Sequence, residues 1–349
     1  MENFAQLEYV MLLLIGSILL AVGLALISIK IAPDVGLMDI PGSAGHKKHL
    51  NPVPLTGGVV LLDTMIVMII LTKMWAIPDV WAIFVSGMII GLFGLLDDFI
   101  HLSATKKLLG QIAGTIMLIY LGVQVQFFHS PEFFIQVGEP WASWLNLIFT
   151  FLWLLTVTNS FNFIDSFDGL AVGLSSVSAG FFLLLAIVTG QTSLIFLCTV
   201  ILGICIALYF FNSRPASLFL GDSGAQSLGF LLAAVAIIYQ PKIGSQASSW
   251  FMPILIFSVP LFDMMLVVLS RLKRKKKIHQ ASRDHTYHRL AQRGIPIHHA
   301  VLIMHGTSLL LSMVGFLCLN LPVLYANIIF GLIVLFGIAA YIELDRNYQ

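Results

Sequence analysis

Long apolar blocks separated by short polar stretches set the pattern of this chain. A membrane-crossing helix needs about 20 mostly apolar residues. Blocks of that kind lie near 8–31, 55–74, 78–96, 107–128, 141–162, 169–189, 191–211, 223–240, 248–270, 299–320 and 322–343. The predicted fold class is all-α, a polytopic integral membrane protein of about 11 transmembrane helices. Ten are allowed, because the eighth block is short and only Gly190, Gln191 and Thr192 part the sixth from the seventh. The first block has no basic stretch before it and outruns a signal-peptide core, so it reads as a retained helix. Residues 1–349 read as a single transmembrane catalytic domain, with a basic, histidine-bearing loop at 271–298.

Composition excludes a soluble fold. Hydrophobic residues make up 58% of the 349 and charged ones 10%, against about 45–50% and about 25% in soluble domains. Too little polar surface remains to coat a water-facing globule. Cys198, Cys205 and Cys318 all fall inside apolar blocks, which excludes a loop-borne disulfide framework or zinc site and leaves them as small core residues.

The net charge of +1 is less informative than where the charges stand. Lys and Arg concentrate in short cytoplasmic loops. With the N-terminus outside and the C-terminus cytoplasmic, sixteen of the 18 Lys and Arg residues fall inside, leaving Lys73 and Lys242 outside. The run at 271–277 reads as a topological anchor that attracts anionic membrane lipids; nucleic acid is not needed to explain it.

On that topology the other polar clusters share the inner face. They are His46 to His49, Asp97 with Asp98, the series Asn159, Asn162, Asp165 and Asp168, Asp222 between Gly221 and Gly224, and Asp284 to Arg289. The series at 159–168 steps by three, so on a helix its members would form a polar arc. Asp168 before Gly169 also suits a helix N-cap. Asp222, flanked by glycines ahead of an apolar block, suits a backbone-lined phosphate site with Mg²⁺, which takes only one or two protein carboxylates. His285 and His288 share a helix face at i, i+3, but no cysteine or second ligand pair supports zinc. His305 and Asp63, inside blocks, read as locally bonded.

Taken in order, these stretches resemble the polyprenyl-phosphate N-acetylhexosamine-1-phosphate transferases, the family named glycosyltransferase family 4. The matching residues are Lys47-Lys48-His49 ahead of Gly57-Gly58, Asp97-Asp98 with Lys107, Gly110 and Gln111, and Asn159, Asn162, Asp165, Asp168 and Gly169. They continue with Asn212, Gly221-Asp222-Ser223-Gly224, Pro260 with Asp263, and His285, His288, Arg289 and Leu290. The resemblance covers roughly residues 30–295 and is nearest the N-acetylglucosamine-type branch. Two positions depart from it: Leu55 stands where the family usually has Arg, and Tyr287 where that branch usually has His.

The resemblance implies an enzyme that moves N-acetylhexosamine-1-phosphate from a UDP-N-acetylhexosamine to undecaprenyl phosphate and releases UMP. Asp222 and Asn162 would hold Mg²⁺, with Mn²⁺ as a substitute. Asp97 and Asp98 would engage the lipid phosphate, and Lys47 and His49 would neutralise phosphate. Asp165 and Asp168 would orient the nucleotide or Lys107, while Asn159 and Asn212 would line the substrate site. His285, His288 and Arg289 would clamp the donor. A homodimer is allowed. The alternatives are a phospho-N-acetylmuramoyl-pentapeptide transferase and, from another class, a secondary transporter. A transporter would place ionisable groups at the bilayer midplane on broken helices, often in inverted repeats. Here they gather at one interface.

Overall fold

The computed structural model describes residues 2–41, 51–131, 135–240, 246–276 and 284–346. Every apolar block folds as helix. Helix α1 (Glu2–Val35) leads to two short antiparallel strands, β1 (Met38–Asp39) and β2 (Val53–Pro54), with Met38 opposite Pro54. Then come α2 (Gly57–Leu71), α3 (Pro78–Ile100), α4 (Ala104–Tyr120) and α5 (Trp141–Ile164). The central helices are α6 (Leu170–Thr189), α7 (Thr192–Asn212) and α8 (Gly221–Ile238). The chain continues through α9 (Gln246–Ser249), α10 (Met252–Ile256), α11 (Ser258–Lys273), α12 (Thr286–Gln292), α13 (Ile297–Cys318) and α14 (Val323–Asp345).

Among the described residues, eight helices are long and apolar enough to cross a membrane. They become nine if Ala247–Ile256 and Ser258–Lys273, bent by 68°, count as one span. The chain is a multi-pass membrane protein. The difference from the expected eleven lies at α2 and α4, of 15 and 17 residues, shorter than a full crossing; α4 also carries Lys106 and Lys107 near its start. The block at 248–270 is broken at Phe257. Pro260 has no N–H to donate to the Ile256 carbonyl, and Pro253 sits in the first turn of α10, a position proline tolerates.

Helices α7 and α8 each bury 72% of their apolar stretch, whereas α14 buries 6% and lies at the periphery of the bundle. The interior is a continuous apolar core containing Leu61, Met65, Phe161, Phe182, Phe196, Phe230 and Phe257, with the free cysteines Cys198 and Cys205 inside it. Helix α3 lies against α8 along Gly87, Gly91 and Gly94. A Cβ at Gly94 would stand 2.5 Å from the Ser223 Cα, so small residues are what let the two backbones approach. That contact brings the C-terminal end of α3, with its paired aspartates, onto the first turn of α8.

Candidate active site

Several helix ends converge here: the C-terminal ends of α3, α5 and α7 and the N-terminal ends of α6 and α8. The turn before α8 is its floor. Asp98 accepts the backbone N–H of Asp222 (2.7 Å) and of Ser223 (3.1 Å), and the Ser223 hydroxyl (2.7 Å). The helix N-terminus that might have received a substrate anion is thus filled by the chain's own carboxylate. Gly221 makes this possible, with φ +69° and no Cβ where Asp98 Oδ2 would lie 2.7 Å away. From the other side, Gly57 and Gly58 donate to the Phe219 and Leu220 carbonyls at 3.0 and 3.1 Å, and Phe219 donates back to Pro54 at 2.8 Å. The Gly-Gly pair of the sequence is part of this brace.

Above the floor stands a carboxylate-rich cluster. Lys107 Nζ is 2.6 Å from Asp97 Oδ2 and 3.1 Å from Asp222 Oδ2. The second oxygen of Asp222 accepts from the Asn162 amide (2.7 Å) and from Gln226 (3.2 Å). Asp97 Oδ1 caps the end of α3 by accepting the Leu102 N–H at 2.5 Å. Behind it, Gln111 donates to Gln226 (2.9 Å) and accepts from Asn159 (2.8 Å), so the amides form a relay into α5. Gln111 is named by the resemblance without a role, and Gln226 is not named at all. Their signal was position: each stands four residues after a charged partner, Lys107 and Asp222, on the same helix face.

The polar series of α5 does not run on as one helix. Helix α5 stops at Ile164, so Asn159 and Asn162 project from it while Asp165 and Asp168 lie in the turn to α6. The N-cap of α6 is Gly169 rather than Asp168. It is held by Asn212, which accepts the Gly169 N–H at 3.0 Å and donates to the Leu218 carbonyl at 3.0 Å. Asn212 therefore pins three segments together with both ends of its amide engaged.

Asp165 meets an unfavourable field. Burial, then the charges of Asp222, Asp98 and Asp168, push its carboxyl up to about 8 from 3.8. The folded state thus keeps a proton that the unfolded chain releases near pH 4. The stability this gives is full below about pH 4 and is lost as pH rises through about 8. In metal-free buffer, the melting temperature should fall between pH 5 and pH 8. Asp165→Asn, which cannot ionise, should make that slope shallower; an unchanged slope would remove Asp165 as one of its sources.

Lys107 is shared by Asp97 and Asp222, while Asp98 is taken up by the turn before α8. Among the described residues, no three His, Cys, Asp or Glu side chains converge as a complete ligand set.

The 284–289 segment forms a separate wall. His285 Nδ1 is 2.8 Å from Asp263, whose other oxygen accepts the Thr286 N–H at 2.6 Å. Arg289 is buried and tied to Asp345 (2.9 Å), Ser270 (2.7 Å) and the Asp284 carbonyl (2.8 Å), and Arg271 pairs with Asp284 at 3.0 Å. His288 lies half-buried against Tyr287, ring centroids 4.2 Å apart. Sequence reading missed Asp345 and Ser270, which lie at the charged ends of apolar blocks, where a polar residue is ordinary. Lys47 and His49 lie outside the described residues, so of the expected site residues the structure brings together those of 97–222 and places 285–289 beside the 165–168 turn.

Residues 80–240, which hold the whole aspartate cluster, match the family described as Glycosyl transferase family 4. The chain is 30% identical over 79% of its length, and 75% of the relative's, to a probable undecaprenyl-phosphate N-acetylglucosaminyl 1-phosphate transferase of Bacillus subtilis. It is 25% identical over 82% of its length to the undecaprenyl-phosphate alpha-N-acetylglucosaminyl 1-phosphate transferase of Yersinia pestis, covering 78% of that protein. To a phospho-N-acetylmuramoyl-pentapeptide-transferase of Lacticaseibacillus paracasei it is 33% identical, over 56% of this chain and 64% of the relative. With the relative from Bacillus subtilis matched along most of both chains and the aspartate cluster inside the family match, the chain belongs to glycosyl transferase family 4, the polyprenyl-phosphate N-acetylhexosamine-1-phosphate transferases.

Proposed function

We propose that this enzyme transfers N-acetylglucosamine-1-phosphate from UDP-N-acetylglucosamine to undecaprenyl phosphate at the cytoplasmic face of the membrane, starting a cell-envelope polysaccharide. The observation that carries the reading is Lys107 lying between Asp97 and Asp222, with Asn162 on the same carboxylate. Such a cluster holds phosphate and cation together at a helix-bundle end.

An oxygen of the lipid phosphate attacks the sugar-linked phosphorus, the bond to the bridging oxygen breaks, and UMP leaves with the electron pair. Phosphoryl transfer of this kind depends on positioning and charge neutralisation. A phosphate monoester has its second pKa near about 6, so at neutral pH the nucleophile is already mostly dianionic. Asp97 therefore serves chiefly to hold Lys107 and the entering phosphate in register. Asp98 keeps the 221–223 turn in place, and Asn162 and Gln226 orient Asp222. Mg²⁺, when bound at Asp222 with Asn162, supplies charge neutralisation on the diphosphate.

The Lys and Arg distribution supports a cytoplasmic site, an outer N-terminus and an inner C-terminus, with α2 and α4 completing the bundle beside the longer spans. UDP-sugars are cytosolic and the lipid phosphate lies in the inner headgroup layer, so a site at that interface meets both. The test is purified protein with undecaprenyl phosphate, Mg²⁺ and a panel of UDP-sugars, read as UMP release. Release with UDP-N-acetylglucosamine is the expected result. Release only with UDP-N-acetylmuramoyl-pentapeptide would move the chain to the sibling reaction, and none with any donor would sink the transferase reading.

A further inference from the structure

Two side-chain rungs join α4 to α8. Lys107 reaches Asp222 Oδ2 at 3.1 Å, and one helical turn further on Gln111 Nε2 donates to Gln226 Oε1 at 2.9 Å. Each rung links residues 115 apart in sequence, so both helices advance by the same four residues between the rungs. Gln226 ties the second rung back to the first by donating to Asp222 Oδ1 at 3.2 Å. On its far side Gln111 forms a reciprocal amide pair with Asn159 of α5. It accepts from Asn159 Nδ2 at 2.8 Å and donates to Asn159 Oδ1 at 3.3 Å. Asn159 gives its other hydrogen to the Leu155 carbonyl at 2.7 Å.

The direction of this amide chain is set at both ends. A backbone carbonyl and an ionised carboxylate only accept hydrogen bonds. Asn159 must therefore turn its NH₂ to Leu155, and Gln226 must turn its NH₂ to Asp222. Gln111 between them accepts from one and donates to the other. Gln111 and Gln226 are buried, at 4% and 3% exposure, so water is not at hand to replace a lost partner. Were Gln226 to turn over, its oxygen would face the carboxylate and the Gln111 NH₂ would lose its acceptor, which is costly in a buried network. Gln111 thus locks the amide that grips Asp222, and it does so without adding charge to a site already crowded with carboxylates.

We propose that Gln111 is a positioning residue for the transfer step, acting through Gln226 to hold the Asp222 carboxylate in place against Lys107, and that Asn159 serves this relay rather than touching a substrate. This rests on the transferase reading. The Oδ1 edge of Asp222 is held by Gln226 and Asn162, which leaves Oδ2 turned to Lys107. Without the relay, one of the two donors on Oδ1 is unsupported and the carboxylate can rotate. Where the reaction depends on positioning, a displacement of about 1 Å costs on the order of 10²-fold in rate.

The test uses the full chain in detergent with undecaprenyl phosphate, Mg²⁺ and UDP-N-acetylglucosamine, read as UMP release. Gln111→Met keeps the length of the side chain and loses both donor and acceptor. It should lower kcat by ~10–100-fold while KM for donor and lipid stays within about twofold of wild type, the pattern of an interaction that acts only in the transition state. Gln226→Met, which leaves the Gln111–Asn159 pair whole, should do the same. The double variant should be no slower than the slower single by more than about twofold, because the two residues act in series. Asn159→Ala should lower kcat in the same way, with both KM values kept. A kcat within about threefold of wild type in Gln226→Met would overturn the proposal even if Gln111→Met failed to fold. So would effects that multiply in the double variant, and so would equal rises in both KM values, the mark of general loosening. A raised KM with kcat kept in Asn159→Ala would return that residue to substrate contact. A wild-type chain that releases no UMP from any UDP-sugar would overturn the transferase reading and this proposal with it; an active wild type whose variants keep its kcat would overturn the proposal alone.

Discussion

Asp222→Ala is expected to lower turnover by about 10³-fold or more and to lower the melting temperature by a few degrees. Both halves follow from the same contacts. Asp222 is where Lys107, Asn162 and Gln226 meet, at 3.1, 2.7 and 3.2 Å, so its loss leaves the cation and both amides without their common acceptor. Lys107 would then relax fully onto Asp97, already 2.6 Å away, and the proposed cation site would lose its carboxylate. For folding, stranding the Lys107, Asn162 and Gln226 donors costs about 1–3 kcal/mol. Asp222 is also the foremost charge acting on Asp165 after burial itself, and relief of that repulsion offsets part of the cost. The measurements are UMP release at saturating substrates and thermal unfolding in the same micelles. Turnover within about tenfold of wild type would remove Asp222 from the centre of the chemistry.

How much of this could be read in the sequence depended on range. Block length and polarity gave the helices, down to the break at Gly190, whose φ of +66° ends α6. They could not give the break at Phe257, because apolar composition is continuous through it and only Pro253 and Pro260 mark it. The aspartates were legible because a carboxylate at a membrane boundary is costly and therefore conspicuous. Their separate duties were not. Asp97 and Asp98 are neighbours in sequence, yet one faces Lys107 and the other grips the turn before α8, a division set by helix rotation. Likewise Asn159, Asn162, Asp165 and Asp168 look like one periodic arc, and the chain turns after Ile164 to split them. Long-range partners such as Asp345 carry no local mark at all.

That last partner leads to the second large effect, at Arg289. The family resemblance gives this residue to the donor, whereas the geometry occupies every guanidinium nitrogen with the protein itself. Nε donates to the Asp284 carbonyl, Nη1 to Asp345 and the Leu344 carbonyl, and Nη2 to Ser270. At 1% exposure it ties α12 to the ends of α11 and α14. Helix α14, with 6% of its apolar window buried, has little other packing to hold its inner end, although Asn327 pairs with Trp250 toward its start. Removing one member of a buried ion pair strands the other and costs about 3–5 kcal/mol. Arg289→Ala and Asp345→Ala should each destabilise the protein on that scale, and the double variant should cost clearly less than their sum, because the two share one interaction. Lys273, 2.9 Å from Asp345, will keep Asp345 partly neutralised in Arg289→Ala, so the arginine variant should be the milder in stability. Donor KM should rise in both, since each frees the segment that presents His285 and Tyr287, even though Asp345 contacts no part of the aspartate cluster among the bonds described here. A direct donor contact predicts the opposite pattern: Arg289→Ala alone would lose donor affinity, with Asp345→Ala silent and stability unchanged.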